Sequence, residues 1–353
     1  MKTMADDKLK YIDCLRGIAI LMVIIVHTGL SINNFNHHAV QIAGFFRIGV
    51  QLFFFMSAYT LCYSMSKRKD SIKNFYIRRY FRIAPLYYFG ILIYFLASTI
   101  NSSPNYNSFN LTNVICHVLL LHGLVPSVNN AIVPGGWSIG TEVLFYLMFP
   151  FLFTVYANIQ RKFFYWIIPI FSLLLTNSIA LILIHFKIDV YFEEGFYYYN
   201  IINQLPVFLV GMSFYFLQPS FNKINSKLYF PLFFILFCLA FITSARVFHN
   251  RSVFIFIAAI SFIFLFLFFK NKTSFNFKIL AIIGQLSFSI YVLHFIFCWI
   301  FTAYQLNINP YISFIINLIL TVGATTIAAW FTKKYIEDPG INLGKRIISR
   351  LNR

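Results

Sequence analysis

Charged residues are scarce in this sequence, and acidic residues are the scarcest of them. Only 11% of the 353 residues are charged, and Asp and Glu together number 10. Soluble globular domains carry about 25% charged residues. No long hydrophilic stretch interrupts the chain either, so we expect a single domain over residues 1–353 without an appended soluble part. The scarcity of charge excludes an ordinary soluble enzyme.

Paired cysteines and internal repeats are also missing. The five cysteines stand singly, and no Cys-x-x-Cys or His/Cys spacing joins them. We therefore expect neither a structural zinc site nor a disulfide framework, and no metal is predicted. The N-terminus resembles the basic and apolar regions of a signal peptide, but no small-residue cleavage site follows. The first apolar segment is accordingly predicted to be an uncleaved membrane span.

Long apolar runs are abundant. Hydrophobic residues make up 59% of the chain, and runs of about 20 residues, enough to cross a ~30 Å hydrocarbon core, recur along it. An additional short, polar segment at 111–125 is predicted to be a re-entrant or interfacial helix. The pattern predicts an all-α polytopic membrane protein with ten transmembrane helices, near 11–30, 42–65, 83–100, 138–157, 163–186, 199–217, 228–246, 252–269, 285–304 and 311–332.

The formal net charge of +18 could indicate a nucleic-acid-binding protein. The positions of the basic residues favour a different interpretation. All but four lie at the termini or in loops that a ten-span topology places on one side, as cytoplasmic loops require. We therefore predict that both termini are cytoplasmic and that no nucleic acid binds. The four exceptions, and the acidic residues that accompany them, are Arg47, Lys187, Arg246 and Arg251, with Asp189, Glu193 and Glu194.

Two ionisable residues share one face of the first predicted span. Arg16 and His27 are eleven positions apart, which on an α-helix is three turns and roughly 16 Å along the axis. An extended phosphopantetheine arm has a comparable length, so the pair could hold the phosphate end and the thioester end of an acyl-CoA. The alternative is that Arg16 extends its charged head to the membrane surface and His27 bonds a neighbouring carbonyl.

A carboxyl group follows on the fourth predicted span. Glu142 comes five residues after Trp137, a residue type suited to the outer interface, and so lies about 8 Å deeper, near the depth of His27. A carboxylate can orient an imidazole and stabilise its protonated form, which gives a base for a hydroxyl group. We therefore predict that Glu142 orients His27. The alternative is a buried glutamate that bonds an Asn or Tyr side chain.

A basic group precedes the third predicted span. Arg79 and Arg82 are spaced i and i+3 on one helix face, and Arg78 flanks them. Guanidinium groups match phosphate oxygens in pairs, so these residues suit either the phosphates of CoA or anionic lipid headgroups. Arg47 is predicted to contact an anionic sugar or a lipid phosphate. His294 is expected to be packed within the bundle, and no function is assigned to the other histidines, His37, His38, His117, His122, His185 and His249.

Several motifs along nearly the whole chain resemble those of the acyltransferase-3 family of bacterial membrane acyltransferases, and they occur in the same order as in that family. The sequence YIEDP at 335–339 resembles the closing motif, and Ala58 replaces the glycine of a Ser-Gly-Tyr signature, which affects packing but no chemical group. The motif residues are Arg16 and His27 with ten residues between them, Ser57 and Tyr59 of that signature, Arg79 and Arg82 of Arg-x-x-Arg, Trp137, Ser138 and Glu142 of Trp-Ser-x-x-x-Glu, and Tyr291 and His294 of Ser-x-Tyr-x-x-His.

The resemblance implies a ten-span bundle in the bacterial inner membrane that acylates a hydroxyl of an envelope polysaccharide or lipid-linked sugar. Cytoplasmic acyl-CoA, usually acetyl-CoA, is the implied co-substrate, and no cofactor is bound permanently. Some members carry a fused extracytoplasmic hydrolase-like domain; this sequence has none, so we expect it to act alone or with a separate partner. We predict His27 and Glu142 as catalytic residues, Arg16, Arg78, Arg79 and Arg82 as the acyl-CoA site, and Trp137, Ser138, Ser57, Tyr59, Arg47, Tyr291 and His294 as residues that line it.

A transporter or flippase that moves a glycan or lipid without bond chemistry is the rival interpretation. The internal repeats and interrupted helix pairs typical of transporters are missing from the sequence. A membrane anchor or sensor would leave the pairing of His27 and Glu142 unexplained.

Overall fold

The computed structural model describes residues 10–68, 71–100, 108–186, 195–221, 223–246, 251–272, 277–303 and 308–352. Every regular element in these ranges is a helix, and the predicted all-α class is confirmed there. The α-helices are α1 (Lys10–Leu30), α2 (His37–Phe45), α3 (Gly49–Arg68), α4 (Ile72–Ile100), α5 (Leu111–Val118), α6 (Gly136–Ala157), α7 (Phe164–His185), α8 (Phe196–Tyr199), α9 (Ile201–Phe221), α10 (Tyr229–Arg246), α11 (Arg251–Asn271), α12 (Lys278–Gln285), α13 (Ser287–Ala303), α14 (Pro310–Thr332) and α15 (Asp338–Leu351).

Each predicted span falls on a long apolar helix or on a bent pair. The described ranges contain nine helices long and apolar enough to cross a membrane, and ten if the bent pair α12 and α13 forms one span. The two helices of that pair meet at 81°. The predicted cytoplasmic position of both termini stays a prediction. Several charged residues used for it lie outside the described residues: Lys2, Lys8, Lys69, Lys187, Asp189, Glu193, Glu194 and Arg353.

The segment 111–125 does not form a long helix. It contains the two-turn helix α5 and a 3₁₀ turn at His122–Leu124. This turn packs closely on α6: a Cβ atom added to Gly123 would lie 2.8 Å from the backbone of Gly140. The described residues of this segment form no helix long enough to span a membrane, and its re-entrant or interfacial position stays a prediction.

Aromatic side chains fill the centre of the bundle. Phe208 of α9 stacks on Phe145 of α6, with ring centroids 4.0 Å apart, and on Phe54 of α3 at 4.5 Å. Helices approach closely where glycine replaces a side chain, as at Gly211, where an added Cβ would lie 2.5 Å from the carbonyl oxygen of Phe55. Such contacts supply the dispersion attraction that holds helices together in lipid. Residues on α7 and α10 are mostly exposed and apolar, as lipid-facing helices are.

The last helices extend beyond the predicted end of the tenth span. A π-helical turn at Lys333–Glu337 joins α14 to the amphipathic helix α15. Gly340 of α15 packs against Pro85 of α4. Glu337 is buried, accepts a hydrogen bond of 3.0 Å from Ser289 of α13, and lies 3.7 Å from Lys333. The C-terminal helix therefore packs against the helix that carries Arg79 and Arg82.

Candidate functional site

A cavity of about 750 Å³, part of it open to solvent, lies between helices α1, α3, α4, α6 and α13. The wall is half polar, and most of the motif residues reach it. The polar residues that line it are Arg16, Ser57, Thr60, Arg79, Arg82, Ser138, Glu142, Tyr146, Ser287 and Tyr291.

Three arginines form the basic wall. Arg79 and Arg82 lie one turn apart on α4, so both side chains reach the cavity, and Arg16 of α1 faces them. The Arg79 guanidinium lies 5.7 Å from the ring centroids of both Phe75 and Tyr146, and its Nε is buried without a hydrogen-bond partner. Arg16 lies 3.8 Å from the carboxylate of Asp13. The predicted grouping of Arg16 with Arg79 and Arg82 is therefore found in the structure.

One carboxylate faces these cations. Glu142 of α6 accepts a hydrogen bond of 2.5 Å from the hydroxyl of Ser57 and one of 2.6 Å from the hydroxyl of Tyr146, both at Oε1. Three guanidinium groups and one carboxylate line the cavity, and Asp13 lies beside Arg16, so one formal positive charge remains unbalanced. Such a surface attracts an anionic ligand.

The opposite wall holds a chain of hydroxyl groups at the start of α6. Ser138 Oγ donates to the Tyr291 hydroxyl at 2.7 Å, and Tyr291 in turn donates to the carbonyl oxygen of Gly135 at 2.9 Å. Gly135 has φ of 75°, a left-handed conformation that favours glycine. An added Cβ would also lie 3.0 Å from the Tyr291 hydroxyl. Gly135 thus sets both the start of α6 and the position of Tyr291.

His27 does not line this cavity, and the predicted hydrogen bond between His27 and Glu142 is not formed. The His27 ring packs instead against Phe295 and His294 of α13, with centroids 4.2 Å and 5.3 Å away. Arg47 lies close enough to interact with it electrostatically. The two regions are nonetheless adjacent, because the rings of His294 and Tyr291 are 5.7 Å apart. The prediction of a direct pair was wrong.

The error came from the assumed depth of Glu142. Trp137 does not face a lipid interface: it is buried and stacks on Tyr199 at 4.6 Å, so it gives no measure of the depth of Glu142. Helix α6 begins inside the bundle, packed against the turn that contains Gly123, and Glu142 lies beside Arg16. Helix α1 packs on α3, α12, α13 and α14, whereas α6 packs mainly on α9 and on the turn at His122–Leu124.

The remaining predicted residues divide into those near the cavity and those away from it. Ser57, Ser138 and Tyr291 line it. Tyr59 is buried in the core, where it donates to Gln218 at 3.1 Å. The Arg47 Nε donates to the carbonyl oxygen of Gly44 at 2.8 Å. Trp137 and Arg78 are not among the lining residues either.

Sequence reasoning missed a buried cluster of two histidines and a tyrosine. Tyr87 of α4 donates to His117 Nδ1 at 2.7 Å and lies 3.1 Å from His122 Nε2. His117 and His122 bond the carbonyl oxygens of Val128 and Gly136, each at 3.0 Å. Burial lowers the pKa of His117 to about 4 and that of His122 to about 3, and for His122 the neighbouring His117 adds to the effect. Both rings are therefore neutral at ordinary pH.

This cluster attaches the segment 111–135 to α4 and to the start of α6. The two imidazole rings stack with centroids 4.3 Å apart and an interplanar angle of 6°. In the sequence, His117 and His122 gave no indication of a site, because they lie five residues apart in a short polar segment with no acidic residue nearby. Across the described ranges, no three His, Cys, Asp or Glu residues are grouped to hold a metal ion.

Long apolar helices around an arginine-lined internal cavity define a multi-pass membrane protein. The chain belongs to the acyltransferase-3 family: the family profile, described as an acyltransferase domain, matches residues 9–333. This confirms the resemblance found in the motifs and indicates a membrane acyltransferase. No curated protein and no solved structure matches the chain.

Proposed function

We propose that this protein transfers an acyl group from acyl-CoA to a hydroxyl group of an envelope polysaccharide or a lipid-linked glycan. Acetyl-CoA is the expected donor, and the bacterial inner membrane is the expected location. The observation that carries the proposal is the cavity in which Arg16, Arg79 and Arg82 face a single carboxylate, in a chain that belongs to an acyltransferase family.

The phosphates of CoA are the ligand that suits the basic wall. Guanidinium groups bind phosphate oxygens with paired, charge-assisted hydrogen bonds, and the unpartnered Nε of Arg79 leaves a donor for one of them. The N-terminal residues of α13, Ser287 and Phe288, also line the cavity. Backbone N–H groups at a helix N-terminus favour anions, so this end of α13 adds to the phosphate site.

The acyl end of the donor would then lie toward Tyr291 and His27. Arg16 and His27 are separated by roughly 16 Å along α1. Tyr291 lines the cavity that Arg16 also lines, and its ring is 5.7 Å from that of His294, the neighbour of His27. In our proposal the pantetheine arm passes Tyr291 and brings the thioester carbonyl to His27. Glu142 is assigned a different role from the predicted one: it balances part of the arginine charge when CoA is absent.

The reaction itself requires one base. His27 takes the proton of the acceptor hydroxyl as its oxygen bonds to the thioester carbonyl carbon. The tetrahedral intermediate then breaks its carbon–sulfur bond, and the CoA thiolate receives the proton from the His27 imidazolium. The products are an ester and CoA thiol, with no net proton released. Packing of the half-buried His27 against Phe295 and His294 limits water at the thioester and so limits hydrolysis.

The direct test uses the purified protein in lipid nanodiscs, acetyl-CoA labelled in the acetyl group, and envelope polysaccharide as acceptor. We expect label in the polysaccharide with the wild type and with His185→Ala, a matched variant of an exposed histidine, and none with His27→Ala. Label on the protein without acceptor would indicate an acyl-His27 intermediate.

The same assay separates the rival function. Reconstituted protein that moves a glycan across the bilayer but transfers no label from any acyl-CoA would refute the proposal in favour of a transporter. Loss of acetyl groups from the polysaccharide of a deletion strain, measured by mass spectrometry, would support the enzyme. If a second, extracytoplasmic protein is required, the purified protein alone should transfer no label, and adding envelope extract should restore the transfer.

A further inference from the structure

His294 has one nitrogen with a partner and one without. It is fully buried on α13, and its Nδ1 lies 2.7 Å from the carbonyl oxygen of Tyr291. A carbonyl oxygen can only accept, so Nδ1 carries the hydrogen, and in the neutral ring Nε2 carries the lone pair. The backbone of Tyr291 therefore fixes the tautomer of His294.

The Nε2 atom of His294 is buried and makes no hydrogen bond within the described part of the chain. Unsatisfied buried polar atoms are rare and each calls for an explanation. The nearest imidazole is that of His27, whose centroid is 5.3 Å away at an interplanar angle of 43°. Two imidazoles joined by an N–H···N bond of about 3 Å have centroids roughly 5 Å apart. A rotation of the His27 ring would form that bond.

We propose that His294 is the positioning residue that orients His27 for acyl transfer, a role that rests on the function proposed above. One N–H of His27 donates to His294 Nε2, and this leaves the other His27 nitrogen to take the proton of the acceptor hydroxyl. His294 Nδ1–H continues to donate to Tyr291. As His27 becomes protonated, its bond to His294 becomes charge-assisted and therefore stronger.

A neutral partner suits this position in the bundle. A carboxylate beside His27 would have to be kept ionised within apolar surroundings, at a high cost in a membrane interior. Phe295 lies against both imidazoles, with ring centroids 4.2 Å from His27 and 4.4 Å from His294. Its ring limits the movement of the two imidazoles and keeps them beside each other. The role that the sequence assigned to Glu142 thus falls to a residue on α13.

Two substitutions separate the orienting role from a structural one. In His294→Asn the side-chain amide can still donate to the Tyr291 carbonyl but has nothing at the Nε2 position. In His294→Gln the amide oxygen replaces Nε2 as an acceptor. We expect His294→Asn to lower kcat at least tenfold with the KM for acetyl-CoA within twofold of wild type, and His294→Gln to recover a substantial part of kcat. His185→Asn serves as the control.

A structural role predicts a different pattern, in which both variants lose stability, as measured by their thermal midpoints, together with activity. Wild-type kcat in His294→Asn, or equal losses of kcat in both variants, would overturn the proposal. These outcomes leave the proposed function untouched, because wild-type transfer is measured in the same assay.

A second measurement does not depend on activity. Solid-state NMR of the ¹⁵N-histidine-labelled wild-type protein in lipid should show a neutral His294 protonated at Nδ1, assigned by its loss in His294→Asn. Its Nε2 resonance should move when His27 is replaced in His27→Gln. A ring protonated at Nε2, or an Nε2 resonance unchanged in that variant, would overturn the proposal even if the enzyme transfers acyl groups.

Discussion

The hydroxyl of Ser57 on α3 donates a hydrogen bond of 2.5 Å to Glu142 on α6, 85 residues further along the chain. This contact places the only carboxylate among the cavity-lining residues opposite three guanidinium groups. It also accounts for why Glu142 does not reach His27. In the structure, Glu142 belongs to the arginine wall and not to the histidine pair.

The Glu142→Gln substitution tests this assignment. Both hydrogen bonds are accepted at Oε1, so a glutamine can keep them and removes only the charge. Because the cavity becomes more positive in this variant, we expect its affinity for CoA to be equal to or higher than that of the wild type. We also expect kcat to fall by less than about tenfold, or 1.4 kcal/mol. Isothermal titration and the transfer assay measure the two values; a complete loss of transfer would restore Glu142 as the partner of His27.

Neutralising an arginine of the cavity should have the opposite effect on binding. Charge-assisted hydrogen bonds contribute about 1.5–3 kcal/mol each, so Arg79→Gln or Arg82→Gln should weaken CoA binding at least about tenfold. Arg350→Gln, an exposed basic residue on α15, provides the matched control and should bind as wild type does. If all three variants lose the same affinity, the arginines act through general attraction to anions or lipid rather than through a phosphate site.

The conformation at the start of α6 predicts a pair of glycine variants with different outcomes. Gly135→Ala puts a Cβ on a left-handed residue, which costs about 1–2 kcal/mol, and 3.0 Å from the Tyr291 hydroxyl. We expect a lower thermal midpoint and reduced transfer. In Gly323→Ala on α14 the added Cβ meets no atom within 4 Å, and alanine favours a helix by about 1 kcal/mol relative to glycine. The thermal midpoint of this variant should therefore not decrease. An unchanged midpoint in Gly135→Ala would show that the strain is not important.

The buried histidine cluster predicts how stability depends on pH. His117 and His122 stay neutral in the folded protein, with pKa values lowered to about 4 and about 3, whereas both have a pKa near 6.5 when unfolded. The unfolded chain therefore binds more protons below pH 6.5, and stability falls from that pH down to about 3.

The matched variant for that prediction is the double substitution His117→Gln and His122→Gln. Glutamine can donate to the carbonyl oxygens of Val128 and Gly136 that each Nε2 now contacts, but it does not titrate. The thermal midpoint, measured from pH 7 to pH 4, should decrease less steeply in the variant than in wild type. Parallel curves would show that these two histidines do not cause the loss.

Much of the architecture was predictable because it depends on local sequence. A run of about 20 apolar residues forms a membrane-spanning helix by itself, since every backbone group is satisfied within the segment. The spacing of Arg79 and Arg82 places both on one face of α4 for the same local reason. The position of Tyr87 beside His117 and His122 was not predictable, because it joins residues 30 and 35 apart through the packing of a short segment.

The sequence by itself determined the membrane class, the positions of the long helices, the acyltransferase-3 motifs and the shared face of the arginines. The tertiary structure alone decided which side chains meet: Glu142 with Ser57 and Tyr146, and His27 with His294. The reason is physical. The depth and rotation of a helix within a bundle depend on side-chain packing against its neighbours, and these contacts join parts of the chain that no local pattern connects.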